Sequence, residues 1–235
     1  MELDILYRDA CVVVVNKPSG LFVHPTHLDR SAPSCLPVLR DQIGQWVYPV
    51  HRLDRGTSGV LLFALNPDTL RMLNEAFESR LVDKEYLALV RGYLPESGRI
   101  DYAYCPPNAS DPVDAITDYT RLAIVELPYP VGRYETVRYS LMQARPLTGR
   151  QHQIRRHCAH LRHPVIGDHY YGDLKQNRFL TQTFGVDRLM LMATKLCFPH
   201  PQSGEKMVVH APIPPNISAL FVEFGWQVMI EPYVT

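Results

Sequence analysis

Cysteines are few in this sequence, and no two of them lie close together. The five occur at positions 11, 35, 105, 158 and 197 of 235 residues. An odd, scattered set predicts neither a disulfide framework nor a thiolate metal site, which is usually built from C-x-x-C pairs. Such a set favours a reducing compartment, and we expect a cytoplasmic protein.

Long hydrophobic runs and phosphate-binding glycine motifs are missing as well. No apolar stretch approaches the roughly 18 residues of a membrane span, and the acidic start MELDILYRD lacks the basic and apolar regions of a secretory signal. Neither G-x-G-x-x-G nor G-x-x-x-x-G-K-[ST] occurs. We therefore expect no membrane partner and no nicotinamide, flavin or ATP cofactor.

The chain has no net charge, with 24 basic and 24 acidic residues, but its charges are unevenly placed. Between Arg133 and His163 there are seven arginines and a single acid, Glu135, so this segment carries +6 and the remainder −6. One basic face on a neutral protein is suited to binding phosphates. The composition is thus compatible with a nucleic-acid partner.

Apolar residues are plentiful, at 46%, which is enough for a substantial core. Strand-like runs outnumber helical ones without regular alternation, which favours an α+β fold with a mostly antiparallel mixed sheet flanked by helices and loops. We expect one domain over residues 1–235, with 95–117 as a peripheral loop or hairpin, and a helix after Asn66 whose buried face ends at Leu81. The other predicted elements are strands at 5–7, 11–16, 84–90, 119–127, 136–147, 189–198 and 206–210, and helices at 36–46, 149–161 and 218–224.

The segment HRLDRGTSG, residues 51–59, places Asp54 between Arg52 and Arg55, just before an apolar run. Asp-Arg-Gly is a common turn composition, so solvated charges in a loop are one interpretation. The other is that neighbouring guanidinium groups keep the carboxylate ionised, as a nucleophile or a base must be. The local sequence leaves both open.

A second polar segment, TGRQHQIRRH at residues 148–157, lies on a predicted amphipathic helix. It is either a solvated basic face or a surface for a phosphate backbone, which planar, hydrogen-bonding cations suit. The histidines at 152, 157, 160, 163 and 169 invite a metal interpretation. Because arginines fill the gaps and no H-E-x-x-H or carboxylate partner lies among them, we expect no metal site.

Together with NKPSGLFVHP (16–25) and KEYLALVRG (84–92), these two segments resemble, in order and spacing, the motifs of the RluA family of pseudouridine synthases. The resemblance implies a pseudouridine-synthase-like catalytic domain, with no S4-like RNA-binding domain before Leu3. Two features depart from the family: the insert between Lys84 and Tyr119 is short, and Met192 stands where members often have histidine. Neither lies in the catalytic motifs.

The family's site residues map onto this chain motif by motif. The resemblance implies that Asp54 is the catalytic carboxylate, that Arg155 pairs with it and that Tyr86 stacks on the target base. A half-buried strand aromatic is the alternative for Tyr86. The expected RNA-binding residues are Arg52, Arg55, Arg150, His152, Gln153 and Arg156. Whether Asp54 attacks C1′ of the sugar or C6 of the base, or removes a sugar proton, is left open by the residue types.

Three further segments, VHPTHLDR, RHPVIGDHYYGDLKQNR and FGVDRLML, resemble a tRNA-modifying group within the family. They imply that the substrate is tRNA and the target a uridine at position 65, on the acceptor/T-stem side, which is flipped out of its stem and isomerised without a cofactor. We expect a monomer with no protein partner. The alternatives are a synthase acting on ribosomal RNA, a non-catalytic RNA-binding protein and, from the histidines, a metal-dependent hydrolase.

Overall fold

The structure is a computed structural model that describes residues 1–25, 33–106 and 111–234. Contacts divide the chain into two compact units, Met1–Lys84 with Ala193–Ala211 and Glu85–Met192 with Pro212–Thr235. We call them the first and second unit. Among the described residues, no helix combines the length and apolarity that a bilayer crossing requires.

The chain has an α+β fold with ten strands and six α-helices in the described ranges. In chain order the elements are β1 (Asp4–Arg8), β2 (Val12–Lys17), α1 (Cys35–Ile43), β3 (Tyr48–Pro49), β4 (Ser58–Ala64), α2 (Pro67–Glu78), β5 (Asp83–Arg91), β6 (Ser97–Asp101), β7 (Ile116–Leu127), β8 (Val137–Pro146), α3 (Gln153–His160), α4 (Leu174–Phe184), β9 (Leu191–Pro199), β10 (Lys206–His210), α5 (Pro215–Glu223) and α6 (Gln227–Ile230). A short 3-10 turn, Glu231–Tyr233, follows α6.

In the first unit the strands follow the order β1-β2-β4-β9, with β3 beside β4 and β10 beside β9. The pairs β1–β2, β2–β4, β3–β4 and β9–β10 are antiparallel. Every residue of β4 is buried, and Leu73 and Ala76 of α2 belong to the core on one side of this sheet. The predicted strands at 5–7 and 11–16 and the predicted hairpin of 189–198 with 206–210 are confirmed.

Helix α2 begins where the sequence predicts but ends earlier. The side chain of Asn66 accepts a hydrogen bond from Thr69 N at 2.8 Å and caps the first turn. The prediction that Leu81 closes the buried face is wrong, since the helix ends at Glu78 and Leu81 is 63% exposed. Arg80 has a φ of 58°, and a left-handed residue takes the chain out of the helical periodicity.

In the second unit the strands follow the order β5-β8-β7-β6, and each neighbouring pair is antiparallel. Strand β6 pairs with the start of β7, so part of 95–117 is a hairpin arm; residues 107–110 lie outside the described ranges. The core includes Leu89, Tyr139 and Leu141, all 0% exposed, and Met192 is 2% exposed in the same core. That the whole chain is one catalytic domain stays a prediction.

Candidate active site

A fully buried lysine of the first unit holds the loop that carries Asp54. Lys17 is 0% exposed, and its Nζ donates to the carbonyl oxygens of Leu21 and Arg55 at 2.6 and 3.1 Å. A buried ammonium group needs such acceptors because its desolvation is otherwise costly. The NKPSG segment therefore holds the HRLDRG loop in place.

Three further hydrogen bonds join these two loops. Ser19 Oγ donates to Gly56 O at 2.7 Å, and Gly20 N donates to Arg55 O at 2.8 Å. In return, Arg55 Nε donates to Gly20 O at 3.0 Å, and its guanidinium lies 5.1 Å from the centre of the Phe22 ring. Arg55, an expected RNA contact, is thus exposed but held in one orientation.

Asp54 lies in the turn between β3 and β4, where Thr57 N donates to Asp54 O at 3.1 Å. The preceding residue, Leu53, is 6% exposed, whereas Arg52 is exposed and Asp54 is half-buried. The loop is anchored by an apolar side chain and presents polar ones. Of VHPTHLDR, also quoted for the resemblance, residues 26–30 lie outside the described ranges.

Two residues fix the ends of this loop. At one end, Leu62 N donates to His51 Nε2 at 3.1 Å. Desolvation, with a smaller contribution from the charge of Lys84, lowers the pKa of His51 to about 4, so the ring is neutral near pH 7. At the other end, Gly59 has a φ of 111°, and a Cβ there would lie 2.0 Å from Ala193 O. Only glycine fits both conditions.

The basic helix α3 of the second unit begins later than the sequence predicts. It starts at Gln153 instead of residue 149, because His152 has a φ of 56° and breaks the helical conformation. The apolar face of the helix carries Ile154 and Cys158, which are 6% and 1% exposed, and Leu161 just after it is half-buried. Arg150 and His152 therefore lie on a turn ahead of the helix.

Gln153, another expected RNA contact, uses its whole amide inside the protein. Its Oε1 accepts hydrogen bonds from Thr148 Oγ1 at 2.7 Å and Arg150 N at 3.0 Å. Its Nε2 donates to Ile116 O and Thr117 Oγ1, both at 2.9 Å. With the side chain 5% exposed, these bonds close the turn before α3. RNA contact by Gln153 stays a prediction that this geometry does not favour.

Arg155 makes a two-point ion pair within the second unit. Its Nε and Nη2 donate to Oδ2 and Oδ1 of Asp168, both at 2.8 Å, and the side chains are 12% and 0% exposed. Burial acts to raise the pKa of Asp168, but Arg155 and the N–H groups of Tyr171 and Tyr170 hold it below its usual value. Asp168 was not singled out from the sequence. The pairing of Arg155 with Asp54 stays a prediction.

One aromatic ring lies against both arginines of α3. The centre of the Tyr171 ring is 5.2 Å from Arg155 Cζ and 5.1 Å from Arg156 Cζ, and its hydroxyl is 3.1 Å from His152 Nδ1. Arg156 also lies 4.6 Å from the centre of the Tyr104 ring. Cation–π contacts of this kind hold a guanidinium in place without neutralising it.

Tyr170 extends from the same turn and is 76% exposed. Its N–H donates to Asp168 Oδ1 at 2.9 Å, and its ring centre is 4.8 Å from that of Tyr171. Backbone and ring are thus held while most of the ring surface is open to solvent. We call His152, Arg155, Arg156, Tyr170 and Tyr171 the basic–aromatic cluster.

Three of the seven arginines in residues 133–163 are paired with acids, so less unbalanced positive charge remains than the sequence indicates. Arg138 pairs with Glu126 at 3.0 Å and Arg145 pairs with Glu85 at 3.3 Å, while Arg155 pairs with Asp168 as described. All three acids come from outside the segment. Its seven arginines therefore do not form one continuous field of unbalanced charge.

The histidines that invited a metal interpretation contact protein groups. His157, 0% exposed, lies 2.9 Å from Thr117 Oγ1, and His163 Nδ1 lies 2.8 Å from Arg91 O. His160 stacks on a tyrosine ring. Among the described residues, the group with suitable spacing for a metal contains none of these histidines.

That group is Asp9, Cys11 and His200 of the first unit, whose ligand atoms lie within 4.8 Å of one another. His200 Nδ1 faces the N–H groups of Gln202 and Ser203 at 3.3 and 3.2 Å, so it must accept. The proton is then on Nε2, which lies 2.8 Å from Asp9 Oδ2 and donates to it. This arrangement favours a hydrogen bond over metal ligation.

The expected catalytic residues are distributed over both units: Asp54 lies in the first, and Tyr86 and Arg155 lie in the second. Tyr86 is half-buried in β5, opposite Ala144 of β8, and packs against the core of its unit. This is what the strand-aromatic alternative predicts. Stacking of Tyr86 on a base stays a prediction.

Comparison with known proteins assigns the chain to a family. The family described as RNA pseudouridylate synthase matches residues 11–160, a range that contains Asp54, Tyr86 and Arg155. The chain belongs to the RNA pseudouridylate synthase family. The resemblance to the RluA group of these enzymes is thereby confirmed.

Curated relatives are similar over almost their whole length. This chain is 50% identical to tRNA pseudouridine synthase C of Haemophilus ducreyi, over 97% of this chain and 98% of that one. The proteins of the same name from Pasteurella multocida and Haemophilus influenzae are 49% and 47% identical, over 97% and 96% of this chain and 98% and 99% of theirs.

Two solved human structures share the fold. Human RNA pseudouridylate synthase domain containing 1 has a TM-score of 0.70 at 29% identity, covering 91% of this chain and 84% of that one. Human RNA pseudouridylate synthase domain containing 4 also has a TM-score of 0.70, at 24% identity, covering 96% and 92%. The expected pseudouridine-synthase-like fold is confirmed.

Proposed function

We propose that this protein converts a uridine of tRNA into pseudouridine. The observation that carries the proposal is the near-full-length similarity to relatives named tRNA pseudouridine synthase C. It is supported by the presence of Asp54, Tyr86 and Arg155 in the matching motifs. The target we propose is the uridine at position 65, on the acceptor/T-stem side, as the sequence resemblance implies.

In this proposal Asp54 supplies an ionised carboxylate at the sugar and base. The reaction breaks the N-glycosidic bond, rotates the base and forms a carbon–carbon bond at C5, with no net redox change. It requires a positioned nucleophile or base, and no redox cofactor. The proposal also places Arg155 next to this carboxylate, as the sequence resemblance implies.

The target uridine must leave its stem before it can react. Extrusion of a base costs a few kcal/mol, and stacking on an aromatic ring returns about 1 to 3 kcal/mol. We assign this stacking to Tyr86. In the proposal the phosphates of the surrounding strand contact Arg150, His152 and Arg156, which are exposed or half-buried in the second unit.

Tyr170 gives the same surface an open aromatic face. Its ring lies against those of His152 and Tyr171, the Tyr171 ring contacts Arg155 and Arg156, and Tyr170 is 76% exposed. Aromatic rings interleaved with cations are typical of surfaces that hold unstacked nucleotides. We expect Tyr170 to stack on a base of the opened tRNA region.

A side-by-side assay tests the proposal. Purified protein is incubated with unmodified tRNA transcripts and with protein-free ribosomal RNA fragments, and every pseudouridine formed is mapped. We expect one product position in tRNA, at uridine 65. If pseudouridine formed only in the ribosomal fragments or only in the anticodon arm, the proposed target would be wrong, but the proposed reaction would stand. Binding of tRNA without any product would favour the non-catalytic RNA-binding alternative.

A further inference from the structure

We propose that Asp168 is a positioning residue that orients the guanidinium of Arg155 for the reaction. The inference rests on the proposed function, because Arg155 has a catalytic role only within it. Asp168 is 1% exposed and lies on a turn that none of the expected site residues occupies. It acts through Arg155 and does not touch the substrate itself.

The geometry of the pair fixes one edge of the guanidinium. Nε and Nη2 of Arg155 are both bound side-on by the Asp168 carboxylate at 2.8 Å. A guanidinium is planar and carries five N–H donors in a rigid fork, so binding this edge also fixes the direction of the Nη1 end. A single-point contact would leave rotation about the bond axis unrestricted.

The carboxylate is itself held by several donors. Oδ1 of Asp168 accepts from Tyr170 N at 2.9 Å and Tyr171 N at 3.1 Å as well as from Arg155. The backbone of Asp168 is fixed too, since its carbonyl accepts from Asn177 Nδ2 at 2.9 Å. Neither the acid nor the arginine can turn without breaking other hydrogen bonds.

The Tyr171 ring closes the remaining side of Arg155, 5.2 Å from its Cζ. Acid and ring come from the same turn, so one short stretch of chain fixes both the edge and the face of the guanidinium. Arg156 contacts the same ring, at 5.1 Å. The turn thus aligns two consecutive arginines of α3.

A purely stabilising role explains this arrangement less well. Removing two charges from water costs several kcal/mol per ion, and buried ion pairs are often replaceable by apolar residues without loss of stability. What an apolar pair does not provide is a defined donor direction. At metal sites, mutating a residue that orients a functional side chain typically lowers activity by about 10- to 100-fold. We expect a loss of similar size here.

The test is a double-mutant cycle with Asp168→Asn, Arg155→Lys and the double variant. It measures the single-turnover rate of pseudouridine formation at saturating tRNA, and separately the tRNA dissociation constant. We expect Asp168→Asn to lower the rate by about 10- to 100-fold and to change the dissociation constant by less than about threefold. In the Arg155→Lys background the same change should cost less than about threefold, because the two residues act as one unit.

Asp173→Asn is the matched control. Asp173 is also a hydrogen-bonded acid of the second unit: it accepts from Lys175 N at 2.9 Å and pairs with Arg91 at 3.1 Å. We expect it to keep the wild-type rate within about threefold, on the scale of a surface ion pair. Equal rate losses for Asp168→Asn in both backgrounds, or a loss confined to tRNA affinity, would overturn the inference.

Asp168→Glu provides a second test in case the Asp168→Asn variant does not fold. It keeps the buried charge but moves the carboxylate by one methylene, so we expect a folded protein with a reduced rate and wild-type tRNA affinity. A full rate in this variant would overturn positioning by Asp168. A wild-type protein inactive on tRNA refutes the proposed function, whereas an active wild type with an unaffected Asp168→Asn variant refutes this inference alone.

Discussion

Asp54 occupies a loop held by Lys17 and by reciprocal hydrogen bonds with the NKPSG segment. Replacing it by Asn keeps its shape and removes its charge, so we expect pseudouridine formation to be abolished. The affinity for tRNA should stay within a few fold, because phosphate contacts supply most of the binding. Single-turnover assays and filter binding measure the two effects.

Asp68→Asn is the control for this experiment. Asp68 is an exposed acid in the first turn of α2, in the same unit as Asp54, and it should leave both rate and affinity unchanged. If Asp54→Asn still formed pseudouridine, Asp54 would not be the catalytic carboxylate.

Tyr170 is the residue through which base contact can be tested with little risk to folding, since it is 76% exposed. Loss of a stacked base costs about 1 to 3 kcal/mol, so Tyr170→Ala should weaken tRNA binding by about 5- to 150-fold. Tyr170→Phe should bind as the wild type does. Trp46→Ala, which removes an aromatic 55% exposed in the first unit, is the control. If all variants bound tRNA with equal affinity, Tyr170 would be a surface residue that does not contact the RNA.

The residues that sequence comparison identifies are those inside its motifs. Asp54, Tyr86 and Arg155 follow from the resemblance, whereas Asp168 and Tyr171 act through contacts with residues 13 to 16 positions earlier in the chain. A local signal for Asp168 exists: an acid after glycine is typical of an Asx turn, in which the side chain accepts from N–H groups two and three residues further along, here Tyr170 and Tyr171. Its pairing with an arginine on another element has no such signal.

At the scale of elements, the charge of residues 133–163 is divided between α3 with its preceding turn and strand β8. Arg138 of β8 is paired with Glu126, whereas Arg150 and Arg156 lie at the proposed RNA surface. The salt dependence of tRNA binding is the slope of the logarithm of the binding constant against the logarithm of the salt concentration. We expect Arg150→Ala and Arg156→Ala each to reduce the magnitude of this slope by about one. Arg138→Ala should reduce it by less. If all variants had the same slope as the wild type, these arginines would be solvated surface residues that do not contact phosphates.

The strands were easier to predict than the helices. The run VVVVN has the β-branched, apolar composition of a buried strand, and β2 lies where it occurs. Helix α4 was not predicted, because its buried face contains Gln176 and Asn177 as well as Leu180. Gln176 accepts from the Tyr139 hydroxyl at 2.7 Å, a partner that apolar periodicity does not reveal.

For the whole molecule, buried histidines should make the fold less stable as the pH falls below about 6.5. The pKa of His51 is lowered to about 4, mainly by desolvation, and burial also lowers that of His157. Between pH 6.5 and 4 the unfolded chain binds protons that the folded protein does not, so the free energy of unfolding falls as the pH falls. Urea midpoints at pH 7, 5.5 and 4.5 measure the loss.

His51→Gln should weaken this pH dependence and retain an acceptor for Leu62 N. Asp9, whose pKa is about 2 despite its burial because of backbone hydrogen bonds from Val12 and Cys11, adds a loss only below about pH 4. A urea midpoint that is constant from pH 6.5 to 4.5 would contradict the assignment of a neutral, buried His51.

The α+β class and the pseudouridine synthase fold could be predicted from strand-rich patterning and from the motifs. The division into two units could not, because the first unit is completed by residues 193–211, and no local pattern in Met1–Lys84 indicates which later segment will pair with it. Contacts between segments so distant in sequence depend on the packing of the whole chain.

The discontinuity of the first unit has a consequence for how the protein is made. Strand β4, buried along its whole length, lies beside β9 in the finished sheet, and β9 leaves the ribosome only after β5 to β8 have been synthesised. Until then the nascent chain carries an apolar strand with an open edge, the kind of segment that pairs wrongly with other chains. This enzyme should depend on chaperones that shield its N-terminal third during translation.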